Sequence, residues 1–409
     1  MNVFSVIEIA LLLVFGGFLG YLAMLSILAV FTREKRSFAA RINRKFAVVV
    51  PAHNEESGLA RTVQSLMNID YAKHLFDVIV IADNCTDQTA EVARREGAHV
   101  MERTDSLKRG KGHALRWCFD KILSGSSSYD AVVVIDADSR ASSNFLTVMN
   151  SYLDHGSQVL QCSDMVETQA ESWSSEITRL GFTLYNHVRP LGRSVFRGSA
   201  GIRGNGMCFS ANVLRSVPWS TYSLNEDLEY GLILLLKDIT VDFAPEARVY
   251  ATMPTSARNA ESQRSRWERG RFPVIRMYGP KLLGKAIRTA SFSPFDAFVE
   301  LVTPAFVNLF GAAFLLFLLN LVIWESGGEF VQLYILWWAL VVVCGILHVL
   351  LGLVAAGADR LLYKAFFYIP RYALWKILLY TKLVRNKQSQ EWIRTTRDQP
   401  VGSPDHRPL

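Results

Sequence analysis

Two aspartates one residue apart, Asp136 and Asp138, end a run of β-branched residues that begins at Val132. Such a run reads as a buried parallel strand, and open α/β sheets place their ligands at the carboxyl ends of strands. Where the chain turns off the strand, alternate side chains point into one cleft. Asp136 and Asp138 are therefore candidate hard-oxygen ligands for Mg²⁺ or Mn²⁺, ions that keep coordination positions for water and substrate phosphates. The same spacing also describes a solvated turn in which Asp138 or Ser139 caps the next helix, so the pair takes its meaning from its companions.

Those companions end neighbouring strand-like runs. Residues 46–50 are apolar and lead into Pro51-Ala-His53-Asn-Glu55-Glu56; residues 78–82 lead into Asp83-Asn84; residues 98–101 suggest a third strand. Between them Leu59, Val63 and Leu66 recur at helical spacing, and Thr86 is placed to cap a helix through Ala90, Val92 and Ala93. Lys111 stands in a Gly-Lys-Gly-His-Ala run, where glycines let backbone amides approach an anion and lysine adds a point charge. Further on come Asn225-Glu226-Asp227 and Gln263-Arg264-Ser-Arg266-Trp267, the latter helix-compatible, with Gln263 and Trp267 on one face. Strands alternating with helices and ending in polar residues predict a doubly wound α/β domain.

In this order the motifs resemble the family 2 glycosyltransferases, whose nucleotide-sugar-binding fold is called GT-A. The resemblance runs from residue 46 to about residue 279. It implies a base-binding loop at Pro51, His53 and Glu55, an acid at Asp83 for the uracil edge, and Lys111, Asp136 and Arg266 near the sugar diphosphate. It makes Asp136 and Asp138 metal ligands, Asp227 the catalytic base with Glu226 second, and Gln263, Arg264, Arg266 and Trp267 the acceptor and diphosphate end. Asn225 departs from the family's Thr-Glu-Asp, which leaves the role of that position open. Inversion at the anomeric carbon by single displacement follows from the same resemblance.

The chain has 409 residues, 50% of them hydrophobic, and three stretches without any charge: 9–31, 301–324 and 330–358. Each exceeds the roughly 20 residues that cross a bilayer as a helix. The first lacks a basic leading region and a cleavage site and is longer than the roughly 7–15 apolar residues of a signal peptide, so it reads as a retained anchor. No Lys or Arg precedes it, whereas Arg33, Lys35, Arg36, Arg41, Arg44 and Lys45 follow. The positive-inside rule then puts the amino terminus outside the plasma (inner) membrane and the central segment in the cytoplasm. The expected divisions are a transmembrane anchor at 1–32, a cytoplasmic GT-A domain at 33–290, two transmembrane helices at 291–358, and an interfacial helix with a basic tail at 359–409. Within the last, residues 361–380 are interrupted by Lys364, Pro370, Arg371 and Lys376, which suggests a kinked helix lying in the interface.

Much of the net charge of +7 lies beside the membrane, so no nucleic-acid partner is needed to explain it. Five scattered cysteines without a CxxC pair predict reduced thiols and no zinc site. The leading expectation is an inverting membrane glycosyltransferase that uses UDP-hexose or UDP-N-acetylhexosamine on a lipid-linked or polysaccharide acceptor, in exopolysaccharide or glycolipid synthesis. The alternatives are a processive polysaccharide synthase, working as an oligomer or with an export partner, and a non-catalytic nucleotide-binding membrane scaffold. A metal-dependent phosphohydrolase would leave Asp83 and the Gln-Arg-x-Arg-Trp stretch idle. Trp173, Phe182 and Tyr185 read as packing aromatics, and the glycines of 201–206 either pack or admit an acceptor.

Overall fold

The computed structural model describes residues 3–32, 43–124, 129–167, 173–252, 257–323, 328–373 and 375, without the side chains of 257–269 and 328–330. After a long helix α1 (Val3–Phe31), the chain alternates β1 (Phe46–Ala52), α2 (Leu59–Met67), β2 (Phe76–Asp83), α3 (Thr89–Arg95), β3 (His99–Arg103), α4 (Lys111–Ser124) and β4 (Ala131–Val134). These four strands pair in parallel in the order β3-β2-β1-β4. Their continuous apolar runs follow from burial on both faces. Val48, Val50 and Val133 pack with Leu59, Val63 and Leu66 of α2 on one face, while Val49, Val132 and Val134 pack with Leu115 and Phe119 of α4 on the other.

The second half adds β5 (Ser139–Ala141), α5 (Phe145–Asp154), β6 (Val159–Val166), α6 (Trp173–Phe182), a π-helical turn (Thr183–Val188), α7 (Arg189–Ser194), β7 (Met207–Ser210), α8 (Ala211–Ser216), α9 (Glu226–Leu236) and β8 (Asp242–Ala251). β7 runs antiparallel between β4 and β6, and the full sheet order is β3-β2-β1-β4-β7-β6-β8-β5. The chain leaves β1 for β2 and β3 on one side and returns to β4 on the other. A ligand cleft opens at such a reversal, beyond the strand carboxyl ends. Here it lies beyond β1 and β4.

Thr86 does not cap α3. Its N–H donates to Asn54 Oδ1 (2.8 Å), and the first turn of α3 is held instead by Asp87, whose Oδ1 accepts from the Thr89 N–H at 3.0 Å. An acid there also suits the helix N-terminus.

The remaining helices are α10 (Ala257–Thr289), α11 (Phe292–Val302), α12 (Phe306–Val322), α13 (Gly328–Ala355) and α14 (Arg360–Lys364). Among the described residues two segments are long and apolar enough to cross a membrane, Val3–Phe31 and Val331–Ala355. They pack together through Leu19, Leu22, Trp338 and Val341. The apolar run 301–324 is not one helix: α11 and α12 meet at 71°, and together they make a third crossing if the bent pair is one span. Thr303 takes an extended backbone at the break (φ −60°, ψ 118°), as the residue before Pro304 is driven to do.

The segment after α13 docks on the α/β unit. Leu362, Ala365 and Ile369 are buried in the cluster that holds Ile177 and Leu180 of α6, and the Arg371 guanidinium lies 4.4 Å from the Trp173 ring centre. Leu362, Ala365 and Ile369 thus face protein, while Leu361 and Phe367 are exposed; the rest of the expected interfacial helix lies outside the described residues apart from Trp375.

His187, in the π-helical turn, is buried with Nδ1 2.7 Å from Ser163 Oγ. Burial, aided by the charge of Arg248, lowers its pKa to about 4. The unfolded chain therefore takes up this proton first as pH falls. The stability linked to His187 is complete above about pH 6.5 and is lost as pH falls from there to about 4, by about 3 kcal/mol at most. Urea unfolding of wild type and His187→Gln at pH 6.5 and 4.5 checks this, with the smaller loss expected in the variant.

Candidate active site

Four acids and one lysine meet where β4 ends. Lys111, the first residue of α4, places Nζ 2.5 Å from Asp136 Oδ1 and 2.6 Å from the Gly204 carbonyl oxygen. Glu226 and Asp227 enter the same field from the first turn of α9, a position where the helix N-terminus favours carboxylates. Gly204 adopts φ +83°, and a Cβ built on it would lie 2.7 Å from Asp227 Oδ2, so the loop backbone is pressed against that carboxylate. Asp138 stands two residues beyond Asp136, half-buried, with Ser139 Oγ at 3.2 Å from Oδ1.

Electrostatics follow from this crowding. Desolvation in the cleft, and for Glu226 the neighbouring charge of Asp227, raises the pKa of both residues, while Lys111 opposes the rise. For Lys111 burial works against its charge, but Asp136, Glu226 and Asp227 outweigh it and hold the ammonium above the ordinary lysine range.

Two residues that sequence reasoning passed over complete the wall. Asp164 is buried in β6, where desolvation and the charges of Asp136 and Asp138 push its pKa well above the carboxylate range. Asn205 ties the pieces together: Oδ1 accepts from the Asp136 N–H (3.1 Å), and Nδ2 donates to Ser139 Oγ (2.9 Å) and Asp164 Oδ1 (3.2 Å). A signal for Asp164 was present, since an acid inside an apolar strand must find partners.

The expected base-binding end lies beyond β1 and β2. Asp83 is buried, with Arg103 Nη1 2.5 Å from Oδ1 and Asn84 Nδ2 donating to the same oxygen at 3.0 Å. His53 Nδ1 sits 2.7 Å from the Asp83 carbonyl, and the buried Glu55 donates its N–H to Thr89 Oγ1 (2.8 Å). Pro51 lies opposite Ile81, one residue before β1 ends at Ala52. Asn54 and Asn84 both adopt left-handed backbone (φ 55° and 51°), which asparagine tolerates in turns.

The glycines around Lys111 divide their roles in a way the sequence reading did not. A Cβ on Gly112 would lie 2.3 Å from the Thr221 carbonyl, so Gly112 serves close packing of α4 on the segment before α9. Gly110, at φ +110°, has open space beside it. His113, next along, stacks on Tyr222 at 4.0 Å.

Gln263, Arg264, Arg266 and Trp267 lie on α10, and their side chains are outside the described residues. Their helix nonetheless reaches the cluster: a Cβ on Gly270 would lie 2.9 Å from Asn225 Cγ. Asn225 thus packs α10 against the start of α9.

The family described as "Glycosyltransferase like family 2" matches residues 43–270, more than half of the chain. The chain belongs to glycosyltransferase family 2. Among its relatives, the probable glycosyltransferase YdaM of Bacillus subtilis is 23% identical over 240 residues, covering 56% of each chain. The beta-monoglucosyldiacylglycerol synthase of Nostoc sp. is 26% identical over 235 residues, covering 55% of this chain and 48% of that one. The chain therefore spans about half the length of the relatives it matches. The mannosyltransferase PcManGT from Pyrobaculum calidifontis, solved with GDP-Man and Mn²⁺, superposes with a TM-score of 0.52 at 16% identity, covering 84% of this chain and 98% of that one. That likeness establishes a GT-A fold for the chain.

The donor set at the end of β4 suits a hard divalent cation. Asp136 and Asp138 present carboxylate oxygens at the cleft, and among the described residues no three His, Cys, Asp or Glu side chains form a closed cage. Mg²⁺ is held in this way, by one or two carboxylates together with substrate phosphates.

Proposed function

We propose that the chain is an inverting hexosyltransferase that moves a sugar from a UDP-sugar to a lipid-linked or membrane-emerging glycan acceptor. The observation that carries this reading is Lys111, which bonds Asp136 and the Gly204 carbonyl and lies within electrostatic reach of Glu226 and Asp227, the latter pressed against Gly204. Asp227 takes the proton of the acceptor hydroxyl as its oxygen bonds to the anomeric carbon. The bond from that carbon to the diphosphate oxygen breaks, and the electron pair leaves with the nucleoside diphosphate. Lys111 meets the charge growing there, and Arg266 is assigned to the same task. A divalent cation held by Asp136 and Asp138 would neutralise the diphosphate.

Membrane helices flank the catalytic unit in sequence, which favours an acceptor delivered from the bilayer. The same reading keeps the amino terminus outside, residues 33–290 in the cytoplasm, and the base pocket at Pro51, His53, Glu55 and Asp83. Gln263, Arg264 and Trp267 face the acceptor in this scheme. The product test is stereochemical: an α-linked UDP-sugar gives a β-linked product by NMR of the anomeric proton, and an α-linked product contradicts single displacement. Asp138→Asn is expected to raise the Mn²⁺ concentration for half-maximal transfer at least tenfold. An unchanged Mn²⁺ titration removes Asp138 from the metal site.

A further inference from the structure

Nine buried side-chain polar atoms lack a hydrogen-bond partner among the described residues, and five of them belong to Arg189, Arg203, Glu300 and His348. These four residues share one place. Glu300 on α11 has Oε1 3.5 Å from Arg189 Nη1 and 3.6 Å from Arg203 Nη2, beyond hydrogen-bonding range. Both guanidiniums lie over the Tyr185 ring, at 5.1 and 3.9 Å from its centre. His348, within electrostatic reach of Arg189 and Glu300 from α13, has Nδ1 engaged with Ser26 Oγ (2.8 Å) and the Leu22 carbonyl (3.0 Å), while Nε2 has no partner.

The surrounding charges are already matched. Arg193 pairs with Asp296 at 2.6 Å, and Arg271 donates to the carbonyls of Glu300, Leu301 and Thr303, each at 2.8 Å. Arg189 and Arg203 are left to share one carboxylate, with an Nε–H unpartnered on each. Burying an incompletely paired charge costs more than leaving a hydroxyl unmatched, and two guanidiniums share one carboxylate, so the complement of this buried cluster is an anion. Planar guanidinium forks match phosphate oxygens.

We propose that Arg189, Arg203 and His348 form a phosphoryl-binding site behind the 201–206 loop, where α7, α11 and α13 come together. The proposal rests on the reading of a membrane-borne acceptor and gives that acceptor a chemistry, a phosphate on a lipid. Arg203 directly precedes Gly204, so a phosphate held there lies beside the loop that abuts Asp227. Glu300 occupies the guanidiniums until the phosphate displaces it, and its charge sets the affinity.

The test needs no sugar donor, so it stands or falls separately from transferase activity. The full chain in dodecyl maltoside is titrated with octyl phosphate, octanol and inorganic phosphate, and the thermal midpoint is followed. Octyl phosphate is expected to stabilise saturably where octanol does not. Arg203→Gln is expected to weaken that binding at least tenfold, and Glu300→Gln, which removes a competing charge at constant shape, to tighten it at least threefold. A purely structural ion pair predicts no response to phosphate. Inorganic phosphate binding as tightly as octyl phosphate assigns the site to a soluble phosphate, and weaker binding assigns it to a lipid headgroup. Equal effects of octanol and octyl phosphate overturn the proposal, as does weaker binding in Glu300→Gln. If Arg203→Gln does not fold, the sign of the Glu300→Gln effect decides.

Discussion

Asp227→Asn is expected to lower sugar transfer by about 10³-fold while UDP affinity stays within about threefold of wild type. The substitution keeps the shape that packs against Gly204 and removes only the ability to accept a proton. Loss of one negative charge also leaves Lys111 with Asp136, its contact at 2.5 Å, so the diphosphate end of the site keeps its main ion pair. Single-turnover transfer and UDP titration, measured on the same preparation, separate these effects. A rate within a factor of about ten of wild type takes the base role from Asp227 and passes it to Glu226, since a positioned general base contributes about 10²–10⁴-fold.

Alanine at two glycines of the same loop is expected to fail in different ways. Gly206 adopts φ +68°, and its Cβ would fall 2.0 Å from Cys162 Sγ and 3.2 Å from Val249, inside the junction of β6, β7 and β8. Neither a buried strand nor a left-handed backbone can yield there, and overpacking with backbone strain costs about 2–5 kcal/mol. Gly206→Ala should therefore deplete folded protein in the membrane fraction, read by size-exclusion yield. Gly204→Ala meets a movable group, the Asp227 carboxylate at 2.7 Å, and turns the Lys111 acceptor carbonyl with it. Its left-handed backbone (φ +83°) costs about 1–2 kcal/mol, so its folded yield should fall less than that of Gly206→Ala, while kcat of the folded fraction falls about 10²-fold, as a misplacement near 1 Å can cause. Equal loss of folded protein in both variants would make the loop structural throughout.

The parallel half of the sheet was legible because each of its principal strands announces itself twice, by a buried β-branched run and by the polar residues that end it. β1, β2 and β4 stand where those signals put them, and Asp136, Glu226 and Asp227 come within electrostatic reach of Lys111. The wall behind them was not legible. Asp164 and Asn205 act through antiparallel pairing of β7 with β4 and β6, a long-range register that no local period encodes. Gly112 was read as an anion-binding glycine and serves a packing contact with a segment over a hundred residues away, which sequence spacing does not reveal. The break between α11 and α12 was signalled by Pro304, but hydropathy alone averaged over it. The arginines around Glu300 were unreadable for a related reason. Arg189 and Arg203 come from α7 and the 201–206 loop and meet only on the Glu300 carboxylate of α11, while Arg271 of α10 holds the backbone carbonyls at the end of α11.

The central claim, acceptor-dependent sugar transfer with Asp227 as base, is tested most directly in membranes carrying the wild-type chain or Asp227→Asn, incubated with a panel of labelled nucleotide sugars and Mn²⁺. Wild-type membranes should release nucleoside diphosphate from one donor and place its label in the solvent-extracted lipid, with about 10³-fold less of both in the variant. Release and labelling that do not differ between the two membranes would contradict the account.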